Sequence, residues 1–397
     1  MLTKSAYIHI PFCKRRCFYC DFPITVLGDN SGHNYSHWQK EYVDFLCQEI
    51  IATSQENTTS LETIFFGGGT PSLLAVEGLE TILTTLNNHF RINKDAEISL
   101  EIDPATFDLT KLKQYQKLGV NRVSLGVQAF QDKLLEDCGR THRITDIYQA
   151  GELINQAGFD NWSLDLISGL PHQSLDDWLE SLKSSIELQP KHLSCYDLVL
   201  EPVTVFGKKY AQGDNPLPPD EITAKMYCLA SEKLREAGYS HYEISNYGKE
   251  GYKCRHNQVY WRNEFYHGFG MGAASYTDYK RFTRPRTRKE YFAWVEEYKK
   301  NRGIIDIPTT SKNDQLLETL MLGLRLKKGV NLAEIRTNFG QEIGEKILQC
   351  LKSFFFDNLV TLDEKLDLLS LTDPQGFLYS NTVLTALFSE FETLENQ

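Results

Sequence analysis

The sequence predicts an α/β fold: an incomplete (β/α)6 barrel followed by a small helical, winged-helix-like domain. Three observations lead there. From Tyr7 to about Ser245, short apolar runs alternate with longer amphipathic segments, the rhythm of parallel strands joined by crossover helices. Polar or glycine-rich residues stand just after those runs, at Cys13, Gly67 to Thr70, Glu101, Gln128 and Asp165, and the carboxyl ends of parallel strands are where α/β proteins hold ligands. After about Ile304 the rhythm gives way to helix-length segments and one hairpin. A doubly wound sheet shares the same alternation, but six units in about 200 residues suit the partial barrel.

Taken in order, the strands are AYIHI (6–10), TIFFGGGTP (63–71), EISLEIDP (97–104), RVSLGVQAF (122–130), SLDLISGLP (163–171) and LSCYDLVLEP (193–202). Between them, helices are predicted over 38–54, 76–90, 109–119, 146–159 and 174–189, where apolar residues recur every three or four positions. An insertion bearing proline and glycine follows at 206–221, then a helix over 223–238 and an aromatic-rich stretch at 242–276. Three helices at 314–326, 331–340 and 344–358 and a hairpin over 359–380 form the small domain. The resulting division is a barrel over 1–245, a connecting segment over 246–303 and the small domain over 304–397.

Composition narrows the function. The 397 residues are 41% hydrophobic and 24% charged, enough to build a large core. A net charge of −11 argues against nucleic acid, which wants a basic surface. The start MLTKSAYIHIPFC lacks the apolar core of a secretory signal, and no run of eighteen apolar residues occurs, so a cytoplasmic protein is expected. Nine cysteines, an odd number, make a disulfide framework improbable. Six are scattered and suit core packing.

The other three are Cys13, Cys17 and Cys20, spaced CxxxCxxC, with Lys14, Arg15 and Arg16 between the first two. Zinc wants four ligands, or three and water, and no second thiol pair follows at ribbon spacing. A [4Fe–4S] cube is normally held by four thiolates. Three leave one iron open to a substrate or cofactor, and the basic residues would offset the cluster's negative charge. This spacing after a first strand resembles the radical S-adenosylmethionine (SAM) superfamily. The resemblance implies that SAM chelates the open iron. It also implies a SAM pocket: Gly68, Gly69 and Thr70 in FFGGGTP match the family's glycine motif, Tyr7 and Tyr19 its aromatic contacts. Glu101, Gln128, Arg140 and Asp165 match its polar shell.

The motifs SLGVQAF, DLISGLPHQS, YEISNYG, RHNQVYW and MLGLRL, together with the C-terminal domain, resemble the oxygen-independent coproporphyrinogen III oxidase-like branch along nearly the whole chain. The oxidases carry CxxxCxxCxC and a longer leading segment. Here Phe22 stands two past Cys20, and Cys13 lies near the start. CKRRCFYCDF and HNQVYW (256–261) are similar instead to the haem chaperone subgroup, HemW. That resemblance implies haem as a third cofactor and a haem-accepting client protein, membrane-associated or free, with no nucleic acid partner. It makes His256, Tyr260 and Trp261 the haem-binding candidates, with Cys254 as an alternative iron ligand. His256 and Tyr260 share a face in either a strand or a helix. Classical turnover is not expected. The oxidase, which decarboxylates coproporphyrinogen III, is the alternative, and a zinc-stabilised regulatory protein is a third reading.

Two further features bear on these readings. KRFTRPRTRK crowds Lys280, Arg281, Arg284, Arg286, Arg288 and Lys289 into ten residues of an acidic chain, a solvated loop or a partner for haem propionates. Ala274 in GFGMGAASY stands where the family commonly has histidine.

Overall fold

The computed structural model describes residues 2–28, 33–54 and 59–392. Strands and helices alternate as the periodicity predicts: β1 (Ser5–Ile10), α1 (His33–Thr53), β2 (Leu61–Gly68), α2 (Val76–Phe90), β3 (Ile92–Ile102), α3 (Leu109–Lys117), β4 (Arg122–Gln128), α4 (Ile144–Ala157), β5 (Trp162–Ser168), α5 (Leu175–Glu187), β6 (His192–Asp197) and α6 (Asp220–Glu236). Strands β1 to β6 lie side by side in chain order, all parallel. Helix starts follow local chemistry. Ser174 and Asp177 form a reciprocal cap at α5, and the Asp108 side chain accepts from the Lys111 amide at α3.

Among the described residues, three short strands extend this sheet to nine. β7 (Ser240–Glu243) and β8 (Asn246–Gly248) add antiparallel beyond β6, and β9 (His267–Phe269) lies parallel to the outer edge of β1. The sheet stays open, with β9 and β7 as its edges. Strands of three or four residues are too short to show a period of two. Hence the 242–276 stretch reads in sequence only as aromatic-rich.

The alternation within the strands divides the two faces of the sheet. Ala6, Ile8, Ile10, Ile64, Phe66, Ile98 and Leu100 pack with Leu46 and Ile50 of α1 and Ile82 and Leu86 of α2. The intervening residues are mostly polar, and some bond across to neighbouring strands. Ser124 reaches Asp165, and Ser163 reaches His192. Register sets Tyr7 beside Phe65, Glu101 beside Ser124 and Gly126 beside Asp165, so one face collects the functional groups.

The small domain has its own core, including Leu316, Leu320, Ile335, Ile347, Leu369, Leu371 and Leu387. Tyr227 of α6 and Ile244 pack into it from the sheet side. Its hairpin pairs 360–363 with 368–371, and a third short strand, 330–331, joins it. The predicted hairpin segment runs further than the paired strands: Pro374 starts a helical turn over 375–378, and a last helix spans Ser380–Glu392.

Candidate functional site

Cys13, Cys17 and Cys20 line one cavity of about 570 Å³ at the carboxyl ends of the strands. Cys13 ends a two-residue strand that pairs with 25–26, which closes the loop between them. The Arg16 guanidinium holds that loop by donating to the carbonyls of Cys20 (3.1 Å) and Phe22 (3.0 Å). Thr70 Oγ1 approaches Cys13 Sγ at 3.6 Å, and Arg140 Nη1 approaches Cys17 Sγ at 3.6 Å. Burial pushes the Cys13 thiol up to about 12 and raises that of Cys20, so iron binding must displace protons there. Among the described residues, no three His, Cys, Asp or Glu side chains converge on a single metal ion.

Of the sequence-predicted SAM residues, Tyr19, Gly68, Gly69, Thr70, Glu101, Gln128, Arg140 and Asp165 all line this cavity. Tyr7 sits beneath it, near-parallel to Phe65 and bonded through its hydroxyl to His9 Nδ1 at 3.1 Å. His9 Nε2 in turn meets the Pro23 carbonyl at 2.8 Å, tying β1 to the cysteine loop. The glycines have a second reason besides approach to a ligand. A Cβ on Gly69 would stand 2.8 Å from the Phe12 oxygen and the Pro11 carbonyl carbon. Gly68 has φ +116°, and a Cβ there would strike the His9 ring at 2.5 Å. The turn is pressed against the cysteine loop itself.

Glu101 and Asp165 are the two sequence-predicted carboxyls among those on the cavity wall. The Gly68 amide donates to Glu101 Oε2 at 3.0 Å. Burial, reinforced by Asp165, raises Glu101 to about 7. Burial also raises Asp165, against hydrogen bonds from Ser194, Ser124 and Ser163. Gln128 lies where the β4–β5 register shifts and takes φ +69°, a strained conformation for this residue type that points to function. Its Oε1 is buried without a hydrogen-bond partner, as is Arg140 Nε. Three thiols, a guanidinium and two orphaned polar atoms on one cavity fit a thiolate-held iron–sulfur cluster with a polar ligand beside it.

Sequence reasoning missed Asp103. It pairs with Arg140, which also donates to the Gly126 carbonyl at 2.8 Å. Burial would raise Asp103, yet Arg140 and His142 hold it below the ordinary aspartate value. Its place two residues after Glu101, just past the end of β3, was the available signal. Tyr196, on the same cavity, was missed as well.

The HNQVYW segment forms α7 (Arg255–Trp261). Both Glu97 oxygens accept from its first amides, Arg255 and His256, at 3.0 Å each, which fixes the helix under the sheet. His256 is 0% exposed. One ring nitrogen meets Thr63 Oγ1 and the other Tyr260 Oη, both at 2.8 Å. The shared face expected of His256 and Tyr260 is therefore present, and they bond to each other. Burial, with the Arg122 charge adding, pushes His256 down to about 3. Trp261 lies apart, 5.9 Å from the Arg325 guanidinium. Cys254 is buried and approaches Glu97 at 3.7 Å.

The basic run is neither a uniform solvated loop nor one patch. Arg284 is buried in an ion pair with Glu49 at 2.7 Å. Arg281 binds Glu318 at 3.0 Å and lies over Tyr276. Arg286 reaches the Asp21 carbonyl in the cysteine loop at 2.6 Å. Ala274 begins a short strand opposite Thr283.

Comparison with known proteins agrees with this architecture. The radical SAM superfamily pattern matches residues 7–184, and the HemN C-terminal domain pattern matches 310–374. The chain is 50% identical to the haem chaperone HemW of Synechocystis, over 99% of this chain and 98% of that one. It is 36% identical to the Bacillus subtilis haem chaperone HemW, over 98% and 100%. The coproporphyrinogen III oxidase HemN of Escherichia coli, a radical SAM enzyme, shares the fold. It superposes with a TM-score of 0.81 at 23% identity, covering 97% of this chain and 90% of that one. Among the described residues, no helix is long and apolar enough to cross a membrane.

Proposed function

The chain belongs to the HemW family of the radical SAM superfamily, and we propose that it is a haem chaperone, taking up haem and passing it to an acceptor protein in the cytoplasm or at a membrane. The observation that carries this reading is the 50% identity to a haem chaperone along essentially the whole chain. Locally, Phe22 supports it. The side chain that stands in place of the oxidases' further cysteine is 54% exposed at the rim of the thiol-lined cavity.

Membership implies a [4Fe–4S] cluster and SAM. Cys13, Cys17 and Cys20 would hold the cluster, with Tyr19, Gly68, Gly69, Thr70, Glu101, Gln128, Arg140 and Asp165 around SAM. When bound, this pair supplies one-electron chemistry. The protein's own contribution is positional. Arg140 sets a positive charge against Cys17 while Asp103 and the Gly126 carbonyl fix its orientation. Gln128 presents an acceptor that nothing else uses.

His256 is the proposed haem ligand. Burial keeps its imidazole neutral, the state that coordinates iron. Both its nitrogens are engaged, so ligation requires Tyr260 or Thr63 to let go. Such ligation is weaker than that of an open site, which suits a protein that must release its cargo. The test is a haem titration of cluster-loaded wild type, His256→Ala and Cys254→Ala. The expected outcome is about one haem per wild-type chain, with the His256 substitution altering the haem spectrum and reducing retention. A thiolate-type spectrum lost on Cys254→Ala would move the ligand to Cys254. No stoichiometric uptake by wild type would overturn the function.

A further inference from the structure

Beside the cofactor cavity lies a second one of about 680 Å³, on the outer side of the cysteine loop. Nothing in the HNQVYW segment reaches it. One wall is apolar: Phe22, Pro23, Ile24, Val203 and Met271. Phe22 and Val203 are 54% and 68% exposed, so this wall leaves apolar surface open to a ligand. The rest of the wall carries Arg16, Arg286 and Arg288. We infer that this cavity is a haem cradle, in which the porphyrin face rests on the apolar wall and the propionates meet the arginines.

The cations are held ready. Arg16 is fixed by the carbonyls of Cys20 and Phe22. Arg286 is fixed by the Asp21 carbonyl and, at 3.5 Å, its carboxylate. Arg288 lies over Trp38, 4.7 Å from the ring centroid, and its Nη1 is buried with no hydrogen-bond partner. Among the described residues, neither Arg16 nor Arg288 pairs with a carboxylate. The acidic groups on the wall are Asp21, already bound to Arg286, and Glu201. Three guanidiniums against two carboxylates leave a positive edge on a chain of net charge −11. Guanidinium forks match carboxylates in geometry as well as charge. A flat apolar ligand with two carboxylates on one edge satisfies both walls at once, and the volume falls within the about 300–1,000 Å³ of small-molecule sites.

This inference rests on the haem-chaperone reading and gives it an entry site separate from His256. The test compares haem with its propionate dimethyl ester on cluster-loaded protein. Wild type, Arg286→Gln/Arg288→Gln and Val203→Asp are titrated with each ligand. The arginine pair should weaken haem by roughly tenfold or more and leave the ester nearly unaffected. Val203→Asp should weaken both. If wild type binds haem and no variant changes either ligand, the cradle is wrong and the chaperone function stands. If wild type binds no haem, both fall. Should the arginine variant fail to rebuild its cluster, because Arg286 also braces the loop, Val203→Asp decides alone: unchanged haem affinity overturns the cradle.

Discussion

Arg140 shows how the site is assembled at the scale of single residues. One guanidinium reaches the Cys17 sulfur, the Asp103 carboxylate and the Gly126 carbonyl, so cysteine loop and strand ends share a fixed charge. In the proposed function, thiolate ligation belongs to Cys13, Cys17 and Cys20 and not to the other six cysteines. Cys17→Ser should abolish anaerobic cluster reconstitution, whereas Cys47→Ser and Cys350→Ser should leave iron and sulfide content at wild-type levels by chemical assay. Glu101 gives a second expectation. Its folded value is raised from 4.5 to about 7, so the folded protein holds this proton more tightly than the unfolded chain does. That contribution is fully present below about 4.5 and is lost as pH rises through about 7. Denaturant unfolding of the cofactor-free protein should therefore show stability falling across that window, and Glu101→Gln should flatten the fall. A slope as steep in the variant would show that Glu101 is not the group responsible.

Among the elements, legibility followed length. The six long strands and their helices announce themselves by period, and the rim residues Cys13, Gly68, Glu101 and Gln128 could be read because strand ends are predictable ligand positions; Asp165, expected just after its strand, lies within β5 and still reaches the same cavity. β7, β8 and β9 could not be, being too short to carry a pattern. Asp103 was hidden because Glu101 already marks that strand end as polar, and only the fold shows Asp103 turned to Arg140. The basic run shows the opposite failure, since adjacent charges looked alike and proved to have different fates. Arg284 is the clearest case. Its partner Glu49 also accepts from the Gly270 amide at 2.9 Å and the Tyr291 hydroxyl at 2.6 Å, which locks α1, the chain after β9 and the helix Arg288–Lys300 together. Removing one partner of a buried pair strands the other charge, at a cost of about 3–5 kcal/mol. Arg284→Gln should lower the unfolding midpoint accordingly, while an exposed neighbour, Lys289→Gln, should not.

For the molecule as a whole, the open sheet has a division of labour. Its carboxyl-end rim gathers thiols, glycines and buried carboxyls. The opposite part of the same face is filled by α7, where Glu97, His256 and Tyr260 bond in sequence. The scaffold is that of a coproporphyrinogen III oxidase in fold, yet the chain is 50% identical to a haem chaperone over nearly its whole length. Chaperoning requires holding haem and also releasing it. The most direct test loads the cluster-bearing protein with one equivalent of haem and mixes it with an excess of a haem-free haem protein, while absorbance follows both partners. Stoichiometric loading and near-complete transfer to the acceptor are expected. Failure to load, or haem that stays bound while a competent acceptor remains empty, would contradict the chaperone function.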